Sequence, residues 1–76
     1  MTTITTHTIT GAMAGSWWRR PAQLRRLSAC CKVAGVSMRC EYADGWWFYH
    51  VFDETERLVR WAVLSAGLPI QQKEQK

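Results

Sequence analysis

Apolar and polar residues alternate without a break from Val36 to Tyr42 (Val-Ser-Met-Arg-Cys-Glu-Tyr), the two-residue period of a half-buried strand. A second run, Trp46 to Phe52, begins directly after Asp44-Gly45. That dipeptide signals a two-residue type I′ turn, because both of its residues must take positive φ. With Asp44 and Gly45 as the loop the register is fixed: Ala43 faces Trp46, Tyr42 faces Trp47, Cys40 faces Tyr49 and Met38 faces Val51. The hairpin, residues 36–43 and 46–52, then has two faces. Val36, Met38, Cys40, Tyr42, Trp47, Tyr49 and Val51 share one, and Ser37, Arg39, Glu41, Trp46, Phe48, His50 and Phe52 share the other.

Helical patterning brackets the hairpin. From Pro21, suited to a first helical turn because it has no N–H to leave unpaired, Leu24, Leu27, Cys31 and Ala34 fall on one face, and Gly35 fits the left-handed residue that ends a helix. A helix over 21–34 follows. After the hairpin, Asp53 reads as an N-cap and Glu56 as the reciprocal residue of a capping box. Leu58, Val59, Ala62, Val63 and Ala66 form the apolar stripe of a second helix. Gly67 ends it, Leu68 folds back towards Val63, and Pro69 blocks continuation. Residues 2–10, rich in Thr and Ile, predict an N-terminal edge strand, with a flexible tail as the rival reading; residues 11–16 read as a loop. Residues 70–76 carry too little apolar surface to order themselves. The expected fold is therefore a small α+β domain in the order β-α-β-β-α, residues 1–69, with both helices on the sheet face bearing Met38, Cys40, Tyr42, Tyr49 and Val51.

A chain of 76 residues makes one domain with a thin stability margin, since so small a fold buries only about 60% of its unfolded surface. Function is then expected on an outer face rather than in a deep catalytic pocket. Five tryptophans in this length are unusual. Trp17-Trp18 and Trp46-Trp47 are adjacent pairs, and neighbours on a strand point to opposite faces, so one of each pair is expected at the surface. The net charge of +4 is uneven: Arg19, Arg20, Arg25, Arg26, Lys32 and Arg39 lie in residues 1–40 with no acid among them, whereas every Asp and Glu lies beyond. Such a half draws phosphates or acidic protein surfaces by its field. Three cysteines cannot all pair within one chain, and the start lacks the charged and apolar regions of a signal peptide. With no apolar run long enough to cross a bilayer, the expectation is a cytoplasmic protein without a membrane partner.

Candidate chemistry narrows the choice further. Cys30, Cys31, Cys40, His7 and His50 lack the Cys-x₂₋₄-Cys spacing of structural zinc sites, so no metal is expected. His50 lies across from Arg39 and diagonal to Glu41 on the outer face, with no nucleophile in register beside it. No cofactor loop or catalytic motif is present, and no enzyme is expected. Trp17-Trp18-Arg19-Arg20 with Arg25, Arg26 and Lys32 mixes rings and cations as single-strand nucleic-acid binders do, but without a recognition motif. The outer hairpin face, Trp46, Phe48 and Phe52 beside Arg39 and His50, has the composition of an interface core. A homodimer or a foreign partner would cover it; the competing reading is that residues 1–16 or Trp17 and Trp18 fold across it.

In size, fold class and lack of catalytic equipment the chain resembles the short single-domain proteins with which phages and mobile elements inhibit host machinery, anti-CRISPR proteins among them. That resemblance implies a non-enzymatic inhibitor occupying a surface of a host protein or nucleoprotein complex. The alternative is a small basic nucleic-acid-binding or transcription-regulatory protein.

Overall fold

In the computed structural model, which describes residues 5–70, the chain runs β1 (His7–Ala14), α1 (Ala22–Ala34), β2 (Ser37–Ala43), β3 (Trp46–Asp53) and α2 (Glu56–Ser65). This is the α+β order read from the sequence. Asp44 and Gly45 turn the chain at φ 51° and 82°, both in the left-handed region that a type I′ turn demands. The register is the expected one, from Ala43 opposite Trp46 to Met38 opposite Val51. β3 lies in the centre of a three-stranded sheet ordered β1-β3-β2 and is antiparallel to both neighbours. β1 and β2 are thus parallel to each other, joined through α1 and split by β3.

α1 begins after Pro21 and closes at Gly35, whose φ of 76° lets its N–H and that of Val36 reach the carbonyl of Cys31. α2 closes in the same way: Gly67 takes φ 81°, and the Leu68 N–H donates to the Val63 carbonyl at 3.2 Å. Its start differs from expectation. Thr55, not Asp53, is the cap residue, and Asp53 is the last residue of β3, paired with His7. The Asp53 carboxylate instead accepts the Thr55 N–H at 2.9 Å, an Asx turn that carries the chain from strand to helix.

β1 also departs from expectation. Thr5 and Thr6 are not in the strand and residues 2–4 lie outside the described residues, while the strand runs on through Gly11 to Ala14, where a loop was predicted. The cause is packing across the sheet: Gly11 faces Tyr49, and a Cβ there would collide with the Tyr49 ring and hydroxyl. Glycine is the residue that lets Tyr49 lie flat against β1.

Both helices cover the inner face. Leu24, Leu27 and Cys31 of α1 and Val59, Ala62 and Val63 of α2 meet Trp47, Tyr49 and Val51 of β3 in one core. Ala66 and Leu68 complete it, and Ile70, read from sequence as the start of the tail, packs half-buried against it. The remainder of the predicted tail, residues 71–76, lies outside the described residues. Tyr42 belongs to the inner face but is exposed at the turn end, its ring edge-on to Trp47 with centroids 5.3 Å apart. No helix of the described residues is long and apolar enough to cross a membrane.

Candidate functional site

The outer sheet face is built in rows across three strands. Trp46 stands between Ala14 and Ala43, Phe48 between Ala12 and Glu41, His50 between Thr10 and Arg39, and Phe52 between Thr8 and Ser37. Large side chains therefore occupy the central strand, and most of their flanking neighbours are small. The rings stand above the face as a ridge. Trp46 is 47% exposed and Phe48 38%, values far above those of the core. At the far end Thr8, Arg39, Glu41, His50 and Phe52 line a shallow depression of about 410 Å³. The five residues Arg39, Trp46, Phe48, His50 and Phe52, singled out from alternation alone, are thus brought together on one surface.

Among the described residues neither rival cover hides that surface. Residues 7–14 of the N-terminal segment pair beside β3 as β1 rather than crossing the face. Trp17 and Trp18 sit in a tight turn between Ser16 and Arg19 at the Asp44-Gly45 end of the sheet, where the Gly15 N–H donates to the Gly45 carbonyl at 3.1 Å. They are 71% and 66% exposed, so both of this pair, and not one alone, stand at the surface. Strand alternation does not apply to residues at a turn tip. It does apply to Trp46-Trp47: Trp46 is out and Trp47 is in, its indole N–H donating to the Ser16 carbonyl at 2.9 Å.

The cations predicted for a basic contact surface, Arg19, Arg20, Arg25, Arg26 and Lys32, lie on α1 and on the turn before it. The Arg20 guanidinium lies over the Trp47 ring at 5.6 Å, a cation–π contact that closes the end of the core. Arg26 reaches across to the segment just after α2, with its Nη1 4.0 Å from where a Gly67 Cβ would stand. Arg25 and Lys32 are exposed on α1, and Arg19 on the turn before it. α1 packs on the inner side, so these cations lie behind the sheet from the aromatic ridge. On the ridge face itself Arg39 and Glu41 offset each other.

The cysteines are free. Burial, with Cys30 and Cys40 nearby, pushes the Cys31 thiol up to about 11. Burial also raises Cys40, with Arg20 partly opposing it. Both are protonated at neutral pH and behave as small apolar side chains. Among the described residues no three His, Cys, Asp or Glu side chains are grouped to hold a metal ion. Comparison with protein-family models, with curated proteins and with solved structures yields no match.

Proposed function

We propose that this protein is a non-enzymatic binding protein of the cytoplasm that docks on a protein or nucleoprotein complex through the outer face of its sheet. The observation that carries the reading is the ridge of Trp46 and Phe48, exposed on a central strand and flanked by Ala12, Ala14, Ala43 and Glu41. Exposed aromatics of this kind are anchors that fill pockets on a partner. Arg39 and His50 supply a polar margin. A role as an inhibitor occupying a surface of host machinery, such as phages and mobile elements encode, matches the small size. The free cysteines suit a reducing compartment.

Affinity capture from the source cell tests this, with wild type compared against a W46A/F48A double variant whose circular dichroism is unchanged. Loss of about tenfold or more in affinity is expected, because two hot-spot rings are removed. Capture of the same partner at wild-type strength by the double variant would overturn the reading. A second reading is favoured by the same two rings: side chains at alternate positions on a central strand form a stacking platform for single-stranded bases. The neutral balance of Arg39 and Glu41 on that face argues against it, since phosphate contacts supply most of such affinity. A gel shift with salt-dependent retention that W46A/F48A abolishes would decide for nucleic acid.

A further inference from the structure

The two edges of the sheet are not alike. β2 carries Arg39 and Glu41, charges of the kind that discourage strand pairing at an edge. β1, His-Thr-Ile-Thr-Gly-Ala-Met-Ala, has no Lys, Arg, Asp, Glu or Pro and pairs with β3 from His7 to Ala14 without a bulge. None of the usual edge guards is present in its sequence. The Gly15 N–H bonds to the Gly45 carbonyl, so odd-numbered residues of β1 exchange hydrogen bonds with β3 in the antiparallel alternation. The backbone N–H and C=O groups of Thr8, Thr10, Ala12 and Ala14 consequently point away from the sheet.

We propose that β1 is an assembly edge that pairs antiparallel with β1 of a second copy, joining two sheets into one. The strand is self-complementary about Gly11. In that register Thr8 meets Ala14 of the second copy and Thr10 meets its Ala12, so all four outward residues exchange both hydrogen bonds. The side chains opposed on the outer face are small and uncharged. On the inner face Ile9 meets Met13 of the second copy, and Gly11 meets Gly11 where the strands cross the axis. A groove of about 420 Å³ already lies there between β1 and α2, with Ile9, Val59 and Ile70 as its apolar part and Glu56 and Arg60 of α2 at its polar part; the incoming methionine meets the apolar part. The cations of α1 do not oppose this approach, because α1 packs towards β2 at the other edge and α2 lies over β1. Pairing leaves both aromatic ridges free and places them on one continuous face, so the inference does not rest on what the ridge binds.

Sedimentation equilibrium of the full chain across a dilution series, with amide hydrogen exchange, tests the edge. The expected result is a species of twice the 8.8 kDa protomer mass, with the amides of Thr8, Thr10, Ala12 and Ala14 protected in proportion to dimer. Ala12→Pro removes an edge N–H without touching the β3 ladder and is expected to give a folded monomer. The register has its own check, which does not depend on that variant folding. T10K/A12K sets lysine against lysine across the axis, and T10K/A12E sets lysine against glutamate. Dimerisation is expected to be weaker in the first by on the order of tenfold. Four results would overturn the proposal: a monomer with unprotected edge amides; a monomer whose edge amides lose protection when residues 71–76 are removed, which gives the edge to the chain's own end; equal dimerisation by the two charge variants; or a dimer broken by W46A/F48A and not by the edge variants.

Discussion

Tyr49 shows how a single residue sets the shape of its neighbour's strand. Its ring is buried in the core and occupies the space that any side chain at position 11 would need. Gly11→Ala is therefore expected to destabilise the fold by about 1–3 kcal/mol, the usual range for overpacking, read as a lower urea midpoint. Tyr49→Phe removes the hydroxyl, the atom nearest to the added methyl, and should recover part of that loss. A double-mutant cycle in which the two changes simply add would contradict the contact. The same pair explains where sequence reading stopped short. Gly11 and its alanine neighbours look like a loop on local propensity, and the residue that makes glycine necessary is far away along the chain. Trp47 is a similar case: its burial was legible from alternation, but the Ser16 carbonyl and the Arg20 guanidinium that close around it were not.

Elements bounded by strong local chemistry were the legible ones. The hairpin register follows from one dipeptide, because only two positive-φ residues close such a turn and every pair after it is then counted off. The αL closures at Gly35 and Gly67 follow from glycine in the same way. The start of α2 was misplaced because Asp53 can cap a helix or form an Asx turn, and only the length of β3 decides between them. The consequence is measurable. Asp53→Ala removes the acceptor for the Thr55 N–H and is expected to cost about 1 kcal/mol, the typical loss at a helix entry. Thr55 makes no side-chain cap hydrogen bond, so Thr55→Ala is expected to cost less. Chemical denaturation ranks the two, and a larger loss for Thr55→Ala would restore the conventional cap.

At the scale of the whole fold, the described residues cover the sheet on only one side and leave the ridge and the β1 edge without a partner, so cohesion falls to one small core. Among the described residues that core excludes charge: its only polar groups are the neutral Tyr49 hydroxyl, the Cys31 thiol and the Trp47 indole N–H, which donates to the Ser16 carbonyl. Cys31, Cys40 and Tyr49 are all held above their ordinary values, in each case chiefly by burial. A group whose folded pKa is raised holds more protons in the folded than in the unfolded chain between the two values, so stability falls with rising pH across that interval. For Cys31 the contribution is whole below the unfolded value of 9.0 and is lost as pH climbs through about 11; Cys40 and Tyr49 act in the same direction. The urea midpoint is accordingly expected to fall across that window. Cys31→Ala lowers the midpoint at neutral pH by opening a cavity, yet its decline above pH 9 should be shallower than that of wild type because one ionising group is gone. Parallel declines in the two proteins would remove Cys31 from the account, and a flat wild-type profile would remove all three groups.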